Sequence, residues 1–397
     1  GPRGLLRMLD LLYSFRDMVE AVETSPSALR FCLSLLWALQ CFSELPHGDL
    51  VTLPHLAGAF RGAVDLVLRI FGSMSQTQPA PGAPEPHTDF QNFKTVATVM
   101  KFLAGMPHVD PRGWQGMGEV WWRVLSTGMQ LLSTLVLHHH TLAHEFVQQD
   151  GPQMIVERRL LCLDLVTADA GSSHIVVDAL LVVSQLSRLS KEFYPTLHRM
   201  NLCCDIRDLL ACSNANVRAK ACNAVGNMAR HSDSFYEAIR QSGILAKLIP
   251  LCSDGDSACR KFASFAVGNS AFHSDLLYRE LAPSIPQLQR LLEDEDEKTR
   301  ANAAGAIGNL VRNSAELCGL MIQEGALLGL VGLISSRRPR DATDAVELER
   351  FVADSSVKIA LFSLGNLAVH SDCREELTTK LRAGELCQAL LGFCSRD

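Results

Sequence analysis

Aromatic side chains are scarce in this 397-residue chain, at 6% of the sequence, with four Trp and four Tyr. That scarcity argues against a β-sandwich, whose core draws on aromatic and β-branched residues, and suits helices packed closely through Leu, Ala and Val. Charge is also thin. Charged residues make up 20% and the formal net charge is −6, so there is no basic footprint for sequence-independent phosphate binding and nucleic acid is not an expected partner. Long apolar runs are missing: Phe31 to Phe42 and Leu131 to Leu137 are too short to span a bilayer and are broken by polar residues, so no membrane role is expected.

The thirteen cysteines include no CxxC pair. They fall singly on apolar stretches, as at Cys32, Cys162, Cys222, Cys318 and Cys387, the pattern of free thiols in a reducing compartment. The neighbours Cys203 and Cys204 read as two half-buried helix residues, since adjacent cysteines rarely close a disulfide. His138, His139, His140 and His144 share a stretch, but the zincin order needs Glu directly after the first histidine of a pair and here Glu145 follows the second, so no metal is expected. Nucleophile-elbow, P-loop and kinase signatures are all absent, and neither catalysis nor a cofactor is expected of this chain. The start at Gly1-Pro2 in place of Met reads as the cut edge of a longer protein.

What is present is repetition. With 47% hydrophobic residues a large core can form, and at this length it must divide into domains or extend as an array. Four segments align around a Gly-Asn pair: Val217-RAKACNAVGNMARHS, Cys259-RKFASFAVGNSAFHS, Lys298-TRANAAGAIGNLVRNS and Val357-KIALFSLGNLAVHS. Their glycines, Gly226, Gly268, Gly308 and Gly365, are spaced by about 42, about 40 and about 57 residues, the first two matching HEAT or armadillo units. The surplus in the last step coincides with the polar stretch 335–356, expected to be a loop inserted between helices.

Between the segments a second pattern recurs: a short amphipathic run, a glycine (Gly243, Gly325, Gly384), then an apolar helix. The glycine can take the left-handed conformation that ends one helix and starts the next. Ser232, Ser274, Ser314 and Ser371 are expected to cap the short helices. Three helices per unit is the armadillo plan, so the expected fold is all-α, an armadillo/HEAT-like right-handed superhelical solenoid. Degenerate helical repeats are expected over 1–75, a Pro-rich loop over 76–89, degenerate armadillo-like repeats over 90–199, with Ser184-Gln185 in the Gly-Asn place, and well-formed repeats over 200–397.

Four interior glycines at equivalent places need a reason, since each costs about 1 kcal/mol against Ala in a helix. Close packing of neighbouring long helices supplies it. The asparagines that follow, Asn227, Asn269, Asn309 and Asn366, form a ladder with two readings: gripping the backbone of an extended peptide, or bonding the adjacent repeat. One turn earlier stand Asn223, Phe265, Gly305 and Phe362, without the tryptophans that importin-like armadillo cargo receptors carry there. Basic residues open the long helices, among them Arg218, Lys220, Arg260, Lys261, Lys298, Arg300 and Lys358. Cations there oppose the helix dipole, which points to an acidic ligand as an alternative to a solvated face. Arg218, Lys261, Arg300 and Lys358 therefore join the asparagines as peptide-groove candidates.

The runs NVRAKACNAVGNMARHSDSFYEAI, CRKFASFAVGNSAFHSDLLYREL and KTRANAAGAIGNLVRNSAELC resemble the C-terminal armadillo region of Fused-type serine/threonine kinases of animals and plants, most closely the vertebrate homologue. The resemblance is strong over roughly residues 200–330 and weak elsewhere. It implies a non-catalytic scaffold region, monomeric and binding proteins, whose kinase domain lies N-terminal to it. It further implies Gli transcription factors, Suppressor of Fused and kinesin-like proteins as partners, roles in Hedgehog signalling and motile-cilium assembly, and a cytoplasmic, nuclear or ciliary location. A generic armadillo adaptor and an importin-like cargo receptor are the competing expectations.

Overall fold

Helix starts in this chain are set by short polar side chains. Asn214, Asp256, Asp296 and Asp354 each stand just before a long helix and accept hydrogen bonds from its first free N–H groups, at 3.0 Å from Asn216, 2.9 Å from Cys259, 2.9 Å from Thr299 and 2.8 Å from Ser356. The computed structural model describes residues 140–168, 172–337 and 345–379 with scattered positions over 125–137. The regions expected at 1–75 and 76–89, most of 90–139, and Gly384 lie outside the described residues. Among the described residues there is helix, turn and loop but no strand, and no helix is long and apolar enough to cross a membrane.

The chain divides into two compact units, Gly1–Leu189 and Ser190–Asp397. In the first, helices α1 (His140–Gln148), α2 (Gly151–Glu157), α3 (Leu163–Ala168) and α4 (Ser173–Leu189) follow one another. The left-handed residue between α1 and α2 is Asp150, at φ 57°. Gly151 instead lies under the Phe146 ring, where a Cβ would clash with the ring carbons.

Among the described residues the second unit holds four three-helix repeats. They comprise α5 (Tyr194–Met200), α6 (Cys203–Leu210) and α7 (Ala215–Met228); α8 (Tyr236–Ser242), α9 (Ile244–Leu248) and α10 (Ser257–Ser270); α11 (Tyr278–Leu281), α12 (Ile285–Leu291) and α13 (Glu297–Asn309); and α14 (Cys318–Gln323), α15 (Ala326–Arg337) and the long α17 (Ser355–Ala368). The well-formed repeats were expected from residue 200, but the unit begins earlier, because α5 is the short helix of its first repeat. Gly243 and Gly325 turn the chain between first and second helices at φ 73° and 71°, as their positions led us to expect.

The expected serine caps are corrected. Ser232 and Ser314 accept from N–H groups two residues on, before their short helices begin, Ser274 Oγ is buried without a partner, and Ser371 opens α18 (Ser371–Thr379) with its hydroxyl on Asp372. The inserted stretch 335–356 is not loop throughout. Residues 335–337 finish α15 and Ala345–Ala353 form α16, with Phe351 buried. Its end is structural as well: Asp354 caps α17, and Ser355 bonds Glu297 through both its N–H and its hydroxyl.

The third helices α7, α10, α13 and α17 pack side by side, each against its neighbours and against the second helix of its own repeat. Small residues such as Ala224, Ala266 and Ala306 are buried along these contacts, which allows close approach without voids. Tyr236 and Tyr278 are among the largest fully buried side chains.

Candidate peptide-binding face

The glycines set how closely the third helices meet. A Cβ on Gly226 would fall 3.2 Å from the Ala266 Cα, one on Gly268 3.4 Å from the Ala306 Cα, and one on Gly308 2.9 Å from the Ser363 Cα. Three of the four expected packing glycines therefore touch the backbone of the next repeat. Gly365 is the correction: no described residue lies within 4 Å of its missing Cβ, and it is exposed. It closes the described row, and among the described residues no further third helix lies against it.

That close approach brings each asparagine onto the carbonyl of the preceding glycine. Asn269 Nδ2 donates to Gly226 O at 2.8 Å, Asn309 Nδ2 to Gly268 O at 3.0 Å and Asn366 Nδ2 to Gly308 O at 3.3 Å. Asn227 instead donates to Asn223 Oδ1 of its own helix, at 3.3 Å. The ladder thus does the stacking work that one of its two readings assigned to it. That bond uses one amide hydrogen. The second hydrogen and Oδ1 of Asn269, Asn309 and Asn366 have no partner among the described residues, and all three side chains are half-buried, so each keeps a donor and an acceptor for a ligand backbone.

Two of the basic groove candidates are spent inside the solenoid. Arg218 reaches forward to both oxygens of Asp254, at 2.9 and 3.0 Å, and back to the Cys212 and Ser213 carbonyls. Arg260 repeats this with Asp294 at 2.7 Å and the Asp254 and Gly255 carbonyls. Arg300, 3% exposed, lies 3.7 Å from Asp354 and donates to the Asp294 and Glu295 carbonyls. A guanidinium so placed satisfies the loop before its own helix and clamps the loop before the next. Arg218 and Arg300 are therefore corrected from ligand contacts to inter-repeat clamps. Burial pushes the Asp254 carboxyl up, but Arg218 and the Asp256 N–H outweigh it and hold it below the usual carboxylate range. Lys261 stays half-exposed, 5.4 Å from the Phe262 ring centroid, and Lys358 is exposed.

A third ladder went unread in the sequence. Tyr194, Tyr236 and Tyr278 open successive first helices; their hydroxyls donate to the Asn227, Asn269 and Asn309 carbonyls at 3.4, 2.5 and 2.5 Å. Each also accepts from the N–H of His231, His273 or Asn313, at 3.2, 3.2 and 3.1 Å. One phenol thereby satisfies a carbonyl and an N–H at the frayed end of a long helix. Burial pushes the Tyr236 hydroxyl up to about 12, so it stays a donor. The signal was available: Tyr recurs at 194, 236 and 278, a step of about 42 residues. The same helix ends are tied once more by side chains just beyond them, with His273 Nε2 3.0 Å from the Arg230 carbonyl and His370 Nε2 2.7 Å from the Val311 carbonyl.

Helical spacing places on the asparagine side the residues seven and four before each asparagine, and the residue three after it follows in the turn that closes each helix. These are Lys220 and Asn223 on α7 with Arg230 just after it, and Phe262 and Phe265 on α10 with Phe272 just after it. On α13 they are Asn302 and Gly305 with Arg312 just after it, and on α17 Ile359 and Phe362 with Val369 just after it. With the second helices packed behind, this is the open side of the row. Arg312 lies over the Phe272 ring, 4.4 Å from its centroid, across the α10 and α13 boundary. His140 and His144, one turn apart on α1 with ring centroids 4.7 Å apart, belong to the first unit.

Comparison with known proteins agrees with this architecture. A HEAT-like repeat model matches residues 257–310, the stretch from α10 through α13. Over 204 residues, 51% of this chain, the sequence is 50% identical to the serine/threonine-protein kinase TIO of Arabidopsis thaliana, and that match covers 15% of the relative's length. Among solved structures, a designed armadillo repeat protein superimposes with a TM-score of 0.52 at 20% identity, covering 62% of this chain and 94% of its own. A designed armadillo repeat protein in complex with the peptide (KR)4 gives 0.51 at 17%, covering 68% and 98%. An engineered protein gives 0.52 at 15% and covers 97% of this chain and 95% of its own. The chain is an armadillo and HEAT-like helical repeat region, related over half its length to a serine/threonine kinase.

Proposed function

We propose that this chain is the non-catalytic, protein-binding region of a Fused-type serine/threonine kinase, and that it holds an extended segment of its partner along the open side of α7, α10, α13 and α17. The observation that carries the reading is the half-used asparagine row: Asn269, Asn309 and Asn366 each stack a repeat with one amide hydrogen and keep the rest of the amide for a ligand backbone. The relation to a serine/threonine kinase over half the chain supports the parent, and the absence of kinase motifs from the sequence supports a regulatory role rather than phosphoryl transfer.

The finer proposal follows the family resemblance. It names Gli transcription factors, Suppressor of Fused and kinesin-like proteins as partners, Hedgehog signalling and motile-cilium assembly as the roles, and cytoplasm, nucleus or cilium as the place of action. An importin-like receptor for basic cargo is disfavoured, because Arg230 and Arg312 stand on the open side where such cargo would need acidic or aromatic partners. Titrating purified Suppressor of Fused and a Gli fragment onto the immobilised chain tests this. Saturable binding that weakens when Phe362 is changed to Ala is the expected result. Absence of binding by both would end the finer proposal.

A further inference from the structure

The open side alternates in chemistry from one repeat to the next. Around α7 it carries Lys220 and, in the turn that follows, Arg230, and around α13 Lys298 and, in the turn that follows, Arg312; α10 and α17 each contribute a single lysine at its edge, Lys261 and Lys358, beside the aromatic residues Phe272 and Phe362, which are 37% and 57% exposed. None of the positions on this side of the four helices, Lys298 included as the residue one turn further back, is Asp or Glu. The chain as a whole is acidic, at −6, so the cations are a local feature and not a reflection of composition.

The four cations also differ from the ion-paired arginine row. Arg218, Arg260 and Arg300 are consumed by Asp254, Asp294 and Asp354, while Lys220, Arg230, Lys298 and Arg312 form no ion pair with a described residue. A solvated helix face usually interleaves both signs. Lys220 has Asn216 and Ala224 one turn away on either side, with no carboxylate to offset it. The Arg312 guanidinium stacked on Phe272 is held by its face and leaves its N–H edge free to meet a carboxylate.

We infer that the open side recognises an extended acidic segment whose carboxylates alternate with bulky apolar side chains, the carboxylates meeting the α7 and α13 cations and the apolar groups resting on Phe272 and Phe362. This rests on the reading of that side as the binding surface and specifies its ligand. A segment running across the helices meets paired cations at α7 and α13 and an exposed aromatic beside a single lysine at α10 and α17, and complementary charge sets its register.

The test is fluorescence polarisation with three labelled peptides of equal length: repeated Glu-Phe-Asp-Leu, repeated Lys-Phe-Arg-Leu and repeated Gly-Ser-Gln. Each is titrated with the unaltered chain, with the double variant Arg230→Glu/Arg312→Glu, and with Lys247→Glu, an exposed lysine on α9 away from this side. Melting curves confirm that all three proteins fold. The acidic peptide should bind the unaltered and Lys247→Glu chains alike and bind the double variant about 10-fold more weakly or less, with affinity falling as salt rises. Equal or tighter binding of the basic peptide, or an acidic complex indifferent to the double reversal, would overturn this inference while leaving the binding surface in place. Failure of every peptide would overturn the reading of the surface itself.

Discussion

Gln185 of α4 in the first unit and Asn269 of α10 in the second perform one task with side chains of different length. Gln185 Nε2 donates to the Leu137 carbonyl at 3.0 Å, and Asn269 Nδ2 to the Gly226 carbonyl at 2.8 Å. The residue before Gln185 is the buried Ser184, where the second unit has Gly268. A Cβ in the glycine place thus goes together with an extra methylene in the amide arm that reaches the neighbouring carbonyl. The remaining polar groups diverge. In the first unit Arg188 Nε occupies Gln185 Oε1 at 2.9 Å, and Asp178, at the position equivalent to Lys220, is buried and receives the Ser133 hydroxyl at 2.7 Å. The asparagine side is thus closed by internal bonds in α4 and left open on α10, α13 and α17, which is why the binding reading is confined to the second unit.

The largest effect should come from importing the first unit's choice into the second. Gly308→Ser places a side chain 2.9 Å from the Ser363 Cα, backbone that cannot rotate away, so α13 and α17 must separate. The expected cost is about 3 kcal/mol, at the upper end for overpacking, read as a drop in melting temperature. Ser184→Gly in the first unit meets no such clash and should cost about 1 kcal/mol, from helix propensity together with the interaction its side chain makes. Similar costs for the two would remove the distinction between close and distant stacking.

Acid should act on the two units with opposite sign. Burial pushes Asp178 up from 3.8 to about 6, against the Ser133 hydrogen bond and His174. Its folded form holds a proton more tightly than its unfolded form, so its contribution is full below about pH 4 and lost as pH rises through about 6. Asp254 and Asp354 are held below the ordinary value of 3.8; their stabilisation is present above that value and lost as pH falls through the folded pKa. Asp178→Asn should therefore stabilise the first unit at pH 7 by about 2 kcal/mol and change little at pH 4. Asp254→Asn should weaken the second unit at pH 7 by about 2 kcal/mol, because Arg218 loses its charged partner. Hydrogen exchange of α4 and α10 amides at the two pH values reads both, and the same sign in both units would contradict the assignment.

Tyr236→Phe removes a hydroxyl that satisfies the Asn269 carbonyl and the His273 N–H. About 1 to 2 kcal/mol should be lost, with faster exchange at the His273 amide as the local signature. Unchanged exchange there would show that water replaces the phenol.

Much of this was legible beforehand. The Gly-Asn period, the three-helix unit and the glycine turns are local patterns, and a local pattern survives into structure when every repeat obeys it. The arginine row misled because a guanidinium's partner lies about one repeat away in sequence, on Asp254, Asp294 or Asp354, in loops whose course the helix pattern does not fix. The stretch 335–356 hid α16 because its charged residues outweigh the buried Phe351. The tyrosine ladder was overlooked because the hydroxyl's targets are backbone groups, which leave no mark in the residue alphabet.

Asn269→Gln sharpens the length argument further. In the close-packed second unit the longer arm overshoots the Gly226 carbonyl and must buckle, so about 1 kcal/mol should be lost, even though the same residue serves at position 185. Full stability would mean that the asparagine length is incidental.

The smallest effect should appear at the open end of the row. Gly365 occupies the same place in α17 as Gly308 in α13, but no described residue lies within 4 Å of its missing Cβ, and it is exposed. The packing reason for glycine is therefore absent there while its helix penalty remains. Gly365→Ala should stabilise the second unit by about 0.5 to 1 kcal/mol, the reverse of Gly308→Ala, whose Cβ meets Ser363 at 2.7 Å from its Cβ. Paired melting curves of the two alanine variants decide it. A loss at both positions would show that α17 is covered in solution by a helix that approaches as closely as α17 approaches α13, and the row would then continue past its fourth repeat.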